Sequence, residues 1–158
     1  MDETRWLDER ETRAWRGYTR MRLELQAQLA RDLAASSGLS ESDYDVLVHL
    51  SEAPENRLRH YQLGDALQWD RSRLSHQLTR MEKRGLVARE ACPTDARGSF
   101  VLLTSSGRAA IEEAAPSHVA SVRRYFIDLL DERQLEALAG IADVVLTNLG
   151  DEHSSDVA

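Results

Sequence analysis

Apolar side chains recur at steps of three and four residues along most of this chain, in stretches that contain few helix-breaking residues. Between residues 8 and 35 there is one glycine, Gly17, and no proline. This spacing places the apolar side chains on one face of an α-helix. Only three prolines and eight glycines occur among 158 residues. We therefore predict a mainly α-helical fold.

Helix-start and helix-end residues divide the periodic stretches. The first helix is predicted to end at residues 36–38. Ser40, with Asp43 three residues later, is typical of a helix N-terminus, and Pro54 ends the helix that follows. Thr104 and Asp131 are predicted to begin the two helices of the C-terminal part.

The middle of the chain is organised differently. We predict a short helix from Leu58 to Leu67, a turn at residues 69–70, and a second helix over about 71–84 that Gly85 closes. Two β-prone pieces, 86–91 and 99–103, then flank CPTDARG, whose Pro, Asp and Gly are typical of a hairpin loop. The fold class is thus α+β, mainly α with a small β-hairpin.

Charge is distributed unevenly along the chain. The net charge of −7 argues, as an average, against a nucleic-acid binder. Residues 57–97, however, carry nine basic and five acidic side chains, so this segment is +4 and the remainder −11. A basic middle in an acidic protein is expected when one surface meets a polyanion. On charge alone, a solvated face with compensating charges is an equally good interpretation.

The helix predicted over 71–84 has two chemically distinct sides. Leu74, Leu78 and Met81 cluster on one side, whereas the rest of the surface is rich in hydrogen-bond donors. Arginine can bind guanine with two hydrogen bonds, and amide or imidazole donors can reach other base edges and phosphates. The side chains predicted to face a DNA major groove are Arg71, Ser72, Arg73, Ser75, His76, Gln77 and Arg80.

The two central helices and the hairpin together form a winged helix-turn-helix pattern, in which the second, recognition helix enters the major groove. Gly64 inside the first helix costs about 1 kcal/mol relative to alanine, and close packing against the recognition helix would explain it. Arg97 at the tip of the hairpin, the wing (about 87–104), is placed for a phosphate or a narrow minor groove. Asp95 is interpreted as a partner that orients Arg97.

The run LGDALQWDRSRLSHQLTRMEKRGLV, followed by PTDARG and LTSSGRAAI, resembles the MarR (multiple antibiotic resistance regulator) family of transcription factors. The resemblance covers nearly the whole chain. It implies a winged-helix homodimer that binds a palindromic operator in double-stranded DNA and is often released by a small phenolic molecule. The family's recognition-helix and wing positions correspond here to Arg73, Ser75, His76, Gln77, Arg80, Asp95 and Arg97. The chain departs from the family pattern at Tyr61, where Ser or Thr is usual, and at Gln68, where Gly is common.

Domain organisation follows from the same pattern. We predict a helical dimerisation region formed by residues 1–36 and 105–150, a DNA-binding domain over 40–104, and a flexible tail over 151–158. The terminal helices carry more apolar positions than a thin winged-helix domain can cover, which favours pairing with a second copy. Two-fold symmetry would set the recognition helices about one DNA turn, roughly 34 Å, apart. The function predicted is a transcriptional regulator, most simply a repressor.

A small aromatic effector is a further expected partner. Aromatic and imidazole side chains that could line its pocket, between the dimer helices and the DNA-binding lobe, occur in both parts of the chain. They are Trp15, Tyr18, Tyr44, His49 and Phe126. Aromatic residues at helical spacing are also common in simple cores, and that alternative stays open.

Two other functions remain possible from the sequence. Oxidation of Cys92, at the base of the wing, could move Arg97 and make the protein a thiol-based redox switch, although a cysteine in a strand is commonly a small hydrophobic residue. The chain could also be a sensor module that acts through protein contacts without binding DNA.

Several classes are not expected. The five histidines have no paired metal-ligand spacing, so we predict no metal, and no cofactor motif is present. We find no nucleophile elbow and no convincing acid–base pair, which argues against an enzyme. One cysteine, no secretory h-region and no apolar run of roughly 18 residues favour a cytoplasmic protein without a membrane partner.

Overall fold

The computed structural model describes residues 4–91 and 98–155. The chain divides into two units, one ending at Val119 and the other beginning at Ala120. The fold is mainly helical with a small antiparallel sheet, as predicted. Its elements in chain order are α1 (Glu9–Ser37), α2 (Glu41–Glu52), β1 (Arg57–Arg59), α3 (His60–Leu67), α4 (Arg71–Lys83), β2 (Val87–Glu90), β3 (Phe100–Leu103), α5 (Ser105–Tyr125) and α6 (Glu132–Ser155).

Side-chain caps begin the helices where the sequence predicts them. At α2 the Ser40 hydroxyl accepts a hydrogen bond from the Asp43 N–H at 3.1 Å, and the Asp43 carboxylate accepts one from the Ser40 N–H at 2.9 Å. Thr104 accepts from the N–H of Gly107 at the start of α5. The Asp131 carboxylate accepts from the backbone N–H of residue 134 at the start of α6. These bonds satisfy N–H groups that have no partner within the helix.

The sheet has the strand order β1–β3–β2, with both pairs antiparallel. Strands β2 and β3 form the predicted hairpin. The prediction that a helix begins at Leu58 is wrong, because Leu58 lies in β1 and pairs with Val101. Helix α3 instead begins at His60, whose N–H donates to the carbonyl of Ser99 at 2.9 Å.

One hydrophobic core holds the helix-turn-helix and the sheet together. Leu47 of α2, Leu63 of α3, and Leu74 and Leu78 of α4 are fully buried, and Val101 of β3 joins the same cluster. Burying a side chain of this size contributes about 1.5–3 kcal/mol. The inner side of α4 is therefore fixed against three other elements, which determines which side faces outward.

Close approach between α3 and the turn that leads into α4 explains the glycine inside α3. A Cβ atom on Gly64 would lie 3.3 Å from the carbonyl oxygen of Trp69 and 3.6 Å from Cδ2 of Leu74. The first distance is tighter than an ordinary van der Waals contact. The tight contact is therefore with the turn that precedes the recognition helix, while the contact with Leu74 of that helix is of ordinary length, so the predicted reason for Gly64 holds for the turn and not for the helix itself.

The turn between α3 and α4 contains a residue in the left-handed region. Gln68 has φ +54°, a conformation that costs a non-glycine residue roughly 1–2 kcal/mol. Its backbone N–H donates to the carbonyl of Asp65 at 3.2 Å and its side-chain amide donates to the same oxygen at 2.7 Å. Gln68 thus adopts the left-handed backbone that glycine usually provides at this position, and its two hydrogen bonds to Asp65 hold the turn.

The C-terminal part of the chain forms two long helices. Proline inside a helix commonly kinks or divides it, yet Pro116 lies inside α5, which is continuous from Ser105 to Tyr125. Helix α6 extends from Glu132 to Ser155, and the flexible tail over 151–158 stays a prediction. The grouping of both terminal regions into one dimerisation region stays a prediction. In the part of the chain that the structure describes, no helix combines the length and apolar character needed to cross a membrane.

Candidate nucleic-acid interface

Helix α4 presents a donor-rich face to solvent. We use "outer face" for the side chains within residues 71–80 of α4 that are exposed or, for Ser75, half-buried, and "inner stripe" for the buried side chains of α4; the exposed Glu82 and Lys83 at the end of the helix are not included. The outer face consists of Arg71, Ser72, Arg73, Ser75, His76 and Arg80, and the inner stripe of Leu74, Gln77, Leu78 and Met81. Six of the seven side chains predicted to face a groove therefore do point outward.

Gln77 is the exception, and the prediction that it faces the groove is wrong. It is 4% exposed because it lies three residues after Leu74 and four before Met81, within the inner stripe. Its amide donates to Oδ1 of Asp43 at 2.7 Å. Its amide oxygen accepts from Arg80 at 2.5 Å.

The first turn of α4 is held by the residues that precede it. The Asp70 carboxylate accepts from the N–H of Arg73 at 2.8 Å and caps the helix. The Arg73 guanidinium lies over the Trp69 ring, 4.2 Å from its centroid. A cation–π contact of this kind is worth about 0.5–1 kcal/mol at an exposed site, and it restricts the direction in which Arg73 projects.

His60 connects the start of α3 to the outer face. Its Nε2 lies 3.1 Å from the hydroxyl of Ser75. Burial lowers the pKa of His60, and the positive charges of Arg71 and Arg89 lower it further. The imidazole thus lies in a positively charged environment in which its neutral form is favoured.

The acidic residue of α4 is neutralised by the wing. Glu82 is the single carboxylate between Arg71 and Lys83, and it accepts hydrogen bonds from Arg89 of β2 at 2.9 and 3.1 Å. Arg89 also donates to the Thr79 hydroxyl at 2.8 Å. Sequence reasoning counted Arg89 only as a charge. Its position opposite Glu82 depends on the pairing of β2 with β3, which local periodicity does not reveal.

Known proteins are similar to this chain in sequence and in fold. The family model described as MarR family matches residues 37–98. AbsC, a MarR family transcriptional regulator from Streptomyces coelicolor, is 43% identical in sequence, with a TM-score of 0.88 over 94% of this chain and 99% of AbsC. The chain belongs to the MarR family.

Two further relatives bear on what this MarR family protein does. A second MarR family regulator from S. coelicolor, solved in complex with DNA, is 40% identical with a TM-score of 0.89, over 94% of this chain and 93% of its own. The transcriptional regulator HosA from Escherichia coli is 30% identical over 79% of this chain and 84% of its own. The protein is accordingly a DNA-binding transcriptional regulator with a winged helix-turn-helix fold.

The wing tip and the cysteine are not covered by the structure of this MarR family protein. Asp95 and Arg97, predicted to form the wing pair, lie outside the described residues, and so does Cys92. The DNA-contacting role of the wing pair and the redox hypothesis both stay predictions.

A recess lies between α1, α2 and α5 in the first unit of the MarR family protein. Its volume is about 190 Å³. Two of the predicted effector residues, Tyr44 and His49, line it, together with Leu29, Ala30, Leu33, Glu41, Asp45, Val48 and His118. Trp15 and Tyr18 lie instead on an exposed part of α1, with ring centroids 5.9 Å apart. Phe126 belongs to the second unit, and its role stays a prediction.

Polar groups in this recess combine hydrogen-bonding capacity with negative charge. The rings of Tyr44 and His118 have centroids 4.4 Å apart, and Nδ1 of His118 is buried without a hydrogen-bond partner among the described residues. His49 Nδ1 lies 2.8 Å from the carbonyl of Asp45. Burial, and then the charge of Glu41, raise the pKa of Asp45. Sequence reasoning missed His118, because no local pattern shows that α5 reaches α2.

Proposed function

We propose that this MarR family regulator binds an inverted-repeat operator as a homodimer and represses transcription by occupying it. The observation that carries this proposal is the outer face of α4. Three arginines, two serines and a histidine project from one side of a helix whose single carboxylate is already paired with Arg89. A helix presenting donors of this kind suits the major groove, where guanine and adenine offer acceptors.

Each outer-face side chain has a proposed role. Arg71 and Ser72, in the first turn, are close to the helix N-terminus, where phosphate oxygens are favoured by the helix dipole. Arg73, His76 and Arg80 lie farther along the same face and are proposed to contact base edges. Together with Ser75, and with the wing pair Asp95 and Arg97 that the sequence predicts, these residues complete the proposed DNA-binding site.

The homodimer part of the proposal rests on apolar side chains that the single chain leaves in solvent. In α6, Val144 is 72% exposed and Ile141 63%. Met21 and Leu23 of α1 are also exposed. Several large apolar side chains exposed on one helix, as on α6, are typical of an interface, and a two-fold dimer would present α4 twice to one DNA duplex.

We also propose that the recess takes a small neutral phenol as effector. An engineered apolar cavity of about 150 Å³ admits benzene, so a recess of 190 Å³ has room for one ring. A phenolic hydroxyl could pair with Nδ1 of His118, whereas a carboxylate would be opposed by Glu41 and Asp45. Binding next to α2 could then shift α4, because both helices share the same core.

Selection of bound duplexes from a random pool tests the DNA-binding proposal. We expect enrichment of an inverted repeat whose half-sites have centres about one helical turn apart. Arg97→Ala should weaken binding to selected and random duplexes alike and reduce the salt slope by about one unit. No enriched sequence, or a single unrepeated half-site bound by a monomer, would contradict the proposal.

The effector proposal is tested by displacement from the selected duplex. We expect 4-hydroxybenzyl alcohol to release DNA at lower concentration than 4-hydroxybenzoate, which has the same ring but a negative charge. Asp45→Asn should narrow that difference, and Glu113→Gln, an exposed carboxylate on α5 outside the recess, is the matched control. Equal potency of the two compounds in the wild type would refute the charge argument.

A further inference from the structure

Among the residues that the structure describes, two buried side chains are polar, and they contact each other. Asp43 of α2 is 3% exposed and Gln77 of α4 is 4% exposed. They lie 34 residues apart in sequence and are joined by the 2.7 Å hydrogen bond from the Gln77 amide to Oδ1 of Asp43. Burying polar groups is costly unless every hydrogen bond is satisfied.

The Asp43 carboxylate is held by three donors. Oδ1 accepts from Gln77, while Oδ2 accepts from Arg84 at 2.7 Å and from the Ser40 N–H at 2.9 Å. Burial by itself would raise the pKa of Asp43, but the hydrogen bonds from Arg84 and Ser40 outweigh it, and the pKa is lowered. The carboxylate therefore stays ionised at neutral pH.

The two donors from the recognition-helix side are seven residues apart. Seven residues correspond to about 10.5 Å along a helix axis, so the Asp43 carboxylate bonds to two well-separated points, Gln77 within α4 and Arg84 directly after the last residue of α4. Contacts with two separated points restrict both rotation of the helix about its axis and sliding along it, whereas apolar packing against Leu74 or Leu78 is non-directional.

The same chain of hydrogen bonds continues to the outer face. Because the Gln77 amide directs its NH₂ group toward Asp43, its oxygen is turned toward Arg80, whose guanidinium donates to it at 2.5 Å. Arg80 is exposed and long, and without this acceptor its guanidinium would occupy many rotamers. Holding it in one direction lowers the entropy lost when it contacts a base.

We propose that Asp43 and Gln77 are positioning residues that determine DNA sequence specificity without touching DNA. They fix the rotation of α4 and hold Arg80 in the direction needed for base contact. This inference rests on the proposed function, since it requires that the outer face of α4 contacts bases.

A reversal of the hydrogen bond tests the proposal. The quantity measured is the specificity ratio, the affinity for the selected operator divided by the affinity for a random duplex of equal length. Gln77→Glu puts a second carboxylate against Asp43, and Asp43→Asn removes the charge that Arg84 and Ser40 bind. We expect each single variant to lower the ratio at least tenfold.

The double variant should recover the ratio to within about threefold of wild type. In Asp43→Asn with Gln77→Glu, the new amide group can donate to the new carboxylate while its oxygen still accepts from Arg84 and Ser40. The net charge of the double variant equals that of the wild type, so non-specific affinity is expected to stay the same. A ratio that remains low in a folded double variant would overturn the proposal.

A second set of variants distinguishes a role of Gln77 in positioning Arg80 from a general effect on protein stability. Gln77→Met, close in size and apolar, should lower the ratio in the wild-type background and lower it by a clearly smaller factor in Arg80→Ala, because the part of the effect that acts through Arg80 is already lost there. Thr104→Val is the control: it removes hydrogen bonds to Gly85 and Leu86 that do not involve Arg80. It should reduce thermal stability and leave the ratio unchanged.

The outcomes are distinguishable from failure of the proposed function. If the wild type shows no operator preference, the proposed function fails and the inference with it. If the wild type prefers its operator and folded Gln77→Met or Gln77→Glu keeps the full ratio, only the inference fails. An effect of Gln77→Met that persists undiminished in Arg80→Ala also overturns it.

Discussion

The outer face and the inner stripe of α4 belong to one helix of 13 residues, yet they are held by different forces. The inner stripe is fixed by apolar contact with several elements and by one polar link, Gln77 to Asp43. The outer face has few contacts, such as the cation–π contact of Arg73 and the Ser75–His60 pair. The donors of the outer face therefore remain free for contacts outside the protein, while the buried side of the same helix holds it in place.

The largest expected effect comes from breaking the inner stripe. Leu78→Ala removes a fully buried side chain and should lower the free energy of unfolding by about 2–5 kcal/mol, measured by urea denaturation. Ser72→Ala on the outer face is the control and should stay within about 0.5 kcal/mol of wild type. A loss below 1 kcal/mol for Leu78→Ala would mean that the core does not fix α4.

The next effect concerns recognition and leaves the fold intact. Arg73→Ala should cost about 1–3 kcal/mol of binding free energy on the selected operator and much less on random DNA, as titration of labelled duplexes would show. Arg133→Ala, an exposed arginine in the first turn of α6, makes the same charge change away from α4. An equal loss on both kinds of DNA would assign Arg73 to a phosphate.

A smaller effect is expected in the turn that sets the angle between α3 and α4. Gln68→Gly relieves the left-handed backbone but loses one exposed hydrogen bond to Asp65, so we expect a net gain of about 0.5–1 kcal/mol. Gln68→Ala keeps the strain and loses the bond, and should be slightly less stable than wild type. A Gln68→Gly variant less stable than wild type would show that the side-chain bond outweighs the strain.

The smallest effect is a dependence of protein stability on pH through His60 of α3, which contacts Ser75 of the outer face. Because the pKa of His60 is lowered in the folded protein, the unfolded chain takes up the proton first as pH falls. Stability associated with His60 is therefore present above the unfolded pKa of about 6.5 and is lost as pH falls through the folded pKa.

Denaturation midpoints of the DNA-free protein at pH 7.5 and pH 5.5 measure this dependence. His60→Gln should show a smaller loss between the two pH values than the wild type. His76→Gln, which changes an exposed histidine on the outer face of α4, is the control and should show the same loss as the wild type. An unchanged loss in His60→Gln would remove His60 from the explanation.

Much of this fold could be predicted because its signals are local. The caps at Ser40, Thr104 and Asp131 and the apolar spacing of α4 each depend on residues within one or two helical turns. Strand β1 could not be predicted in the same way. Three residues, Arg-Leu-Arg, show too little alternation, and the β3 partner of Leu58 is Val101, far along the chain.

The error at Gln77 has a more specific physical reason. A polar residue three positions after Leu74 and four before Met81 must be buried, so the spacing itself contained the signal. The partner of Gln77 could not be identified from the sequence, because Asp43 is already explained by its role in capping α2. The structure shows that Asp43 both accepts from the Ser40 N–H and accepts from Gln77. A polar residue within an apolar stripe is thus a reason to search for a buried partner.

Directed cleavage from the outer face tests most directly whether α4 enters the major groove. The chain has a single cysteine, so a His76→Cys, Cys92→Ser variant carries one reactive thiol to which iron–EDTA can be attached. On the selected duplex, we expect two clusters of strand cleavage centred about one helical turn, roughly 34 Å, apart. Uniform cleavage along the duplex, or the same pattern from a probe at a Glu113→Cys position on α5, would contradict the assignment.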